Sequence, residues 1–316
     1  MRSKNCVLVF ATLAALFLLS PLAYSDSLGF FSQGVALANA PSYLWDYGCS
    51  PTAAGMMMGF YDINGYGGLR YDNLVPGGQA EPSTWPQPPS SSPLADAIIA
   101  SPGHIADFYG GDNNRGNNNY KHANDDLPGP YHAFNSLADF MGTSQDSAGN
   151  KDGWTTFGYW NNGNKYTAQD ALNAGLAGKD GMYGLWEYFD QYAGYTAPLT
   201  NFFTQLIDTM VKQGGFSFND YMNDIDAGMV VMIQLDGHSM FGYGYDQPTQ
   251  TIYFHDTWDS QQHFMGWGGV YAGMGMIGVT VFEPAGGSSS VPEPTTLVLL
   301  GSGCFGLFCF GKKLRC

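Results

Sequence analysis

The apolar positions fall into blocks of two kinds. From Cys49 to Asp62 they fill nearly every face: Ala53, Ala54, Met56, Met57, Met58, Phe60 and Tyr61. A helix that is hydrophobic all round is buried, and Pro51 suits a first turn, so a central helix is predicted there. Phe203, Leu206, Ile207, Met210 and Val211 recur at helical spacing and predict a second helix over Thr200 to Gln213, stopped by Gly214. A shorter helix is predicted from Phe218 to Ala227, closed by Gly228. The pattern then changes. Met229 to Leu235 reads as a buried strand, His238 to Tyr245 and Thr251 to Asp256 as two partners, and Met276 to Phe282 as a last strand. Helices followed by an antiparallel meander predict an α+β fold. The segments 84–93, rich in Pro and Ser, and 112–126, rich in Asn and Asp, read as surface loops. The body, 26–284, reads as one domain with long loop insertions, the largest between 67 and 194.

Both ends break this pattern. Arg2 and Lys4 precede an apolar run from Cys6 to Leu19, and Ala23-Tyr24-Ser25 offers small residues at a cleavage site. This order is that of a secretory signal over residues 1–25. At the other end, residues 285–290 form a Gly/Ser linker, followed by Val291-Pro292-Glu293-Pro294, an apolar stretch from Thr295 to Gly311 and a basic end. Seventeen helical residues span about 25 Å, near the thickness of a bilayer core. The basic end then lies on the cytoplasmic side. An exported protein with a C-terminal membrane segment is expected.

Composition narrows the function. Charged residues are 12% of the chain against about 25% in ordinary domains. Aromatics are 15%, and the net charge is −15. Disorder over most of the chain is excluded, because disorder goes with few aromatics and high charge density. Nucleic acid is excluded as a partner, because its binders carry basic footprints. Once the ends are set aside, seven basic residues face 26 of the 27 acidic ones, a net charge of −19. Four of the five cysteines, Cys6, Cys304, Cys309 and Cys316, also lie in the ends.

The remaining cysteine, Cys49, has no partner for an internal disulfide and opens the central helix, where the macrodipole favours a thiolate. A thiol ionising below its ordinary range is therefore expected. His238 is the candidate base. If the hairpin between the His238 and Thr251 strands turns about Gln247, Asp256 lies opposite His238, and its carboxylate reaches the imidazole. Strand alternation puts His255 on the other face, and a register slip brings in Thr257 or Trp258.

The segment Gly48-Cys49-Ser50-Pro51-Thr52-Ala53-Ala54-Gly55-Met56 resembles the nucleophile helix of papain-fold cysteine peptidases, closest to the bacteriocin-processing, double-glycine-cleaving group. Gly237-His238 with Gly242-Tyr243-Gly244-Tyr245-Asp246 resembles the base strand, and His255-Asp256-Thr257-Trp258 the strand of the third residue. The resemblance implies a papain-like fold with a central helix on an antiparallel sheet. It also implies acyl transfer on peptide bonds, with Cys49 as nucleophile, His238 as base, Asp256 as orienting acid and Trp258 shielding the triad. The family's Gln before the nucleophile is missing: Pro41 to Gly48 holds no Gln or Asn, Tyr43 is the candidate oxyanion donor, and Asp46 opposes a nearby thiolate. Val291 to Cys316 resembles the PEP-CTERM sorting signal of Gram-negative bacteria. That resemblance implies an exosortase and a signal peptidase as processing partners, and delivery to the cell envelope, cell surface or extracellular matrix.

Other readings stay open. One is a non-catalytic papain-fold matrix or binding protein. Another is a different Cys–His acyl-transfer enzyme, a peptidoglycan amidase or transglutaminase-like protein. No cofactor is expected and no zinc spacing appears around His104, His122 or His132. Asp112-Asn113-Asn114, Asp125-Asp126 and Asp62-Ile63-Asn64-Gly65 are fragments of calcium-loop chemistry without a full ligand series. Trp154 to Trp160 is either a sugar-binding or a packing segment.

Overall fold

The computed structural model describes residues 34–45, 47–75, 98–101, 134–150 and 153–284. The chain divides into two compact units, Met1–Gln33 and Gly34–Cys316, and every described residue lies in the second. The expected signal segment, linker and sorting signal lie outside the described residues, as do the loops 84–93 and 112–126, Asp46, His104, His122 and His132. No helix among the described residues is long and apolar enough to cross a membrane.

The fold is α+β, as the sequence predicts. In chain order the principal elements are β1 (Val35–Ala36), α1 (Cys49–Asn64), α2 (Leu137–Phe140), β2 (Tyr166–Thr167), α3 (Ala168–Asn173), α4 (Gly181–Glu187), β3 (Phe202–Leu206), α5 (Phe218–Asp226), β4 (Val231–Leu235), β5 (His238–Asp246), β6 (Thr251–His255), β7 (His263–Gly266), β8 (Val270–Tyr271) and β9 (Met274–Phe282). The strands run in the order β2-β3-β9-β4-β5-β6-β7, with β1 on β5 and β8 on β9. The pairings are antiparallel.

Burial explains α1. Every residue from Ser50 to Asp62 is buried, so the helix is held by tertiary packing on all sides and not by an amphipathic stripe. One face meets Phe241 and Tyr243 of β5 and Met232 of β4; the other face of the sheet forms a second core with Ile233, Met240 and Phe254. The helix ends at Gly65, whose φ of 71° is open to glycine at little cost and whose N–H closes the last turn on Tyr61. The calcium-loop reading of Asp62 fails for this reason. Asp62 is inside the helix, buried, and accepts the Val75 N–H at 3.1 Å.

The second predicted helix is also corrected. Phe202–Leu206 is a strand paired with β9, followed by a short 3-10 turn at Asp208–Met210. Four of its five residues are buried, so its apolar positions do not alternate. A short apolar run without alternation fits helix and strand equally, and the β9 ladder decides it.

Asp224, on α5, sits in an acidic, largely buried setting. Its carboxyl is pushed up to about 7, mainly by burial, with Asp220 and Glu283 adding to the rise and Lys165 opposing it. Its Oδ2 has no hydrogen-bond partner among the described residues. The folded chain binds this proton more tightly than the unfolded chain, so stability falls as pH rises from about 4 towards 7 and then levels. Asp224→Asn is expected to be the more stable form at pH 8, by a few kcal/mol, with the gap closing towards pH 4. Denaturant titrations of both proteins at the two pH values check this.

Candidate active site

Cys49 is the first residue of α1. Gly48 before it has an extended backbone, so glycine is needed there for room and not for conformation. A Cβ at Gly48 would lie 2.7 Å from the Gly153 carbonyl oxygen and 2.9 Å from Thr143 Cγ2. That close approach seats the start of the helix. The Cys49 side chain is half-buried, and its Sγ accepts the Ser239 N–H at 3.4 Å. Ser239 follows His238 at the start of β5, which puts the sulfur within roughly 6 Å of the His238 Cα.

The third residue meets His238 by an unexpected atom. His238 Nε2 is 2.7 Å from the main-chain carbonyl oxygen of Asp256. The carboxylate is turned away. Its Oδ1 accepts the N–H groups of Trp258 and Asp259 at 2.9 and 3.2 Å, and its Oδ2 accepts the Tyr271 hydroxyl at 2.6 Å. The predicted carboxylate–imidazole contact is therefore replaced by a carbonyl–imidazole contact. The hairpin register is the cause. Phe241 pairs with His255, and a bulge at Tyr243 shifts the ladder between Gly242 and Gly244. β6 ends at His255, so Asp256 has left the ladder before it could face His238.

The turn that follows is unusual. Thr257 is buried and has φ 70°, a left-handed conformation that is costly for a β-branched residue. Its carbonyl accepts the Trp45 N–H at 2.5 Å, and the Ser42 hydroxyl reaches the Asp259 carbonyl at 3.4 Å. These bonds tie the segment before Cys49 to the segment after Asp256. The turn also lays Trp258 on His238, with ring centroids 4.2 Å apart and planes 19° from parallel. Trp258 stacks in turn on Tyr271 at 6.1 Å and remains 48% exposed. Trp258 thus covers the His238 ring. Tyr271 was not legible from the sequence.

His255 is separate from this cluster. It stacks on Tyr243 at 4.7 Å, and its Nδ1 lies 2.9 Å from the Gln261 carbonyl. Tyr43 is fully buried, with its ring beside Gly55, six residues into α1. Burial and then the Asp62 carboxylate raise its hydroxyl. The structure does not bring Tyr43 to the sulfur.

Electrostatics also departs from the sequence expectation. Burial pushes the Cys49 thiol up, and the neighbouring Ser239 and Ser50 only partly offset it. Burial pushes His238 down, against the Asp256 carbonyl and charge. Both shifts favour the neutral form of each group. A carbonyl oxygen only accepts, so Nε2 carries the imidazole proton and Nδ1 is the basic atom. Among the described residues the groups that could hold a metal are Asp256, Asp259 and His263, whose ligand atoms lie within 4.8 Å of one another. They are already linked by hydrogen bonds, with His263 Nε2 2.8 Å from Asp259 Oδ1. Of the tryptophans between 154 and 160, Trp154 and Trp160 are both exposed, and Trp160 also packs on Tyr166.

No curated protein and no solved structure matches the chain. Residues 154–267, a stretch holding His238, Asp256 and Trp258 but not Cys49, match the model of the Peptidase_C39 like family.

Proposed function

We propose that this protein is an exported cysteine peptidase-like hydrolase acting on peptide bonds of envelope or extracellular proteins. The observation that carries the reading is the fixed tautomer of His238 beside the residue that binds the Cys49 sulfur. Cys49 attacks a peptide carbonyl while His238 Nδ1 takes the thiol proton. The same nitrogen returns it to the leaving amine. Water, activated by the same base, then cleaves the thioester and restores the thiol. Burial favours the neutral thiol and the neutral imidazole, so the proton moves as the sulfur attacks. Trp258, stacked on the ring, favours the transient imidazolium by cation–π attraction.

The two ends supply the cellular reading. A signal peptidase removes residues 1–25, and an exosortase processes the Val291–Pro294 region after the apolar segment has held the chain in the membrane. The product belongs to the cell surface, envelope or extracellular matrix of a Gram-negative bacterium.

A peptidyl chloromethyl ketone, followed by mass mapping, tests this reading. Modification is expected at Cys49, and loss of modification is expected in His238→Ala. Asp256→Asn is expected to label within about tenfold of the wild type, because the orienting group is the main-chain carbonyl. A carboxylate that orients the imidazole would instead be worth roughly 10⁴. Absence of labelling in the wild type would favour the second reading, a papain-fold binding protein. The position of Tyr43, away from the sulfur, is the observation on that side.

A further inference from the structure

β4 carries one polar side chain, Gln234, inside an otherwise apolar strand. It is 5% exposed, so its amide must be satisfied internally. Its Nε2 donates to Thr280 Oγ1 at 2.9 Å and to Met232 Sδ at 3.1 Å. A thioether sulfur only accepts, which fixes the orientation of the amide. Oε1 therefore faces Ser239 and accepts its hydroxyl at 2.7 Å. Ser239 has one hydroxyl hydrogen, and Gln234 takes it. The 2.8 Å contact between Ser50 Oγ and Ser239 Oγ must then be a donation from Ser50. Both serines are buried, and both flank the sulfur. At rest, neither hydroxyl hydrogen points at Cys49, and the Ser239 N–H is the donor that does.

We propose that Gln234, Ser239 and Ser50 form a buried relay that sets the proton affinity of the Cys49 thiol through the direction of two hydroxyl hydrogens. The relay deepens the peptidase reading, since it serves the same nucleophile, and the three are positioning residues. When the thiol gives up its proton, the Ser50 hydroxyl is the donor free to turn. It leaves Ser239, which loses nothing but an optional acceptor contact, and donates to the sulfur. The Ser239 hydroxyl stays on Gln234. Gln234 thus withholds one donor from the thiolate, and Ser50 supplies the other. Of the charged groups near this end of the sheet, Asp46 lies outside the described residues. α1 has no acidic residue in its first turn, His238 is held by the Asp256 carbonyl, and the Asp256 carboxylate is held by Tyr271, Trp258 and Asp259.

The relay predicts shifts of opposite sign. Ser50→Ala removes the donor and raises the thiol pKa, by about one unit, a tenfold slower alkylation by iodoacetamide at neutral pH. Gln234→Met removes the acceptor, frees the Ser239 hydroxyl to turn to the sulfur and lowers the thiol pKa by a similar amount. Ser239→Ala, a smaller change, frees the Ser50 hydroxyl and moves the thiol the same way as Gln234→Met. Ser50→Thr restores the wild-type value. The measurement is the pH dependence of the alkylation rate in the full chain, with a thermal melt to show each variant folded. Should Gln234→Met not fold, Ser239→Ala decides. Shifts of the same sign in Ser50→Ala and Ser239→Ala, or no shift in either, overturn the relay. Iodoacetamide reads the thiol without turnover. A protein that shows these shifts but resists the chloromethyl ketone keeps the relay and loses the peptidase reading; the reverse outcome does the opposite.

Discussion

Cys49→Ala is expected to remove peptide hydrolysis altogether, a loss of at least about 10⁴-fold in kcat/KM measured on a fluorogenic peptide or on casein. In the proposed mechanism the sulfur is both the attacking atom and the leaving group of the thioester, and a methyl group offers no lone pair for either role. The fold should survive. The thiol is half-buried at a helix N-terminus and makes one hydrogen bond to a main-chain N–H, so its loss leaves no large cavity. In the wild type, the acid limb of kcat/KM is expected below 6.5, because burial lowers His238 and the working base is its neutral form. Turnover by Cys49→Ala equal to the wild type would sink every reading in which this cysteine does chemistry.

Gly184→Ala is expected to be a strongly destabilising single-methyl change. Gly184 lies in α4, which is pressed against α2. An added Cβ would fall well inside contact distance of the Phe140 carbonyl and 2.7 Å from Met141 Cα. These are main-chain atoms of a buried segment and cannot swing aside as the end of a side chain can. Alanine is the better helix former by about 1 kcal/mol, which works against the clash. Overpacking on a rigid wall costs roughly 1–3 kcal/mol or more, and the helices must separate to accommodate it. A net loss of about 2 kcal/mol is expected, a fall in Tm of roughly 4–8 °C for a chain of this size. Gly178→Ala is the control. A Cβ there meets nothing within 4 Å, so its melt should match the wild type. Equal melts for the two variants would show that α2 and α4 do not touch as described.

Local chemistry made much of this site legible. An all-round apolar helix opened by Gly48-Cys49-Ser50-Pro51 can only be buried with its cysteine at the N-terminal end, and the structure has it so. His238 at the head of a strand and Trp258 just past the next strand were also readable, because the hairpin between them is short. Gln234 was not. It lies in a run that reads as apolar, and one polar residue in five does not reveal which partner it has.

Register and solvation depend on the whole fold. The sequence by itself determined the α+β order and the buried helix, because each follows from periodicity within a short window; the candidate pair Cys49 and His238 came from the lone body cysteine and from the family resemblance. Only the tertiary structure decided that β3 is a strand, since a short buried run has no period of its own. It also decided that Asp256 presents its carbonyl to His238, since one bulged residue at Tyr243 and one left-handed residue at Thr257 redirect everything beyond them. The proton affinity of Cys49 belongs to the same class. A helix N-terminus lowers it and burial raises it, and how completely water is excluded is set by every element packed around the sulfur.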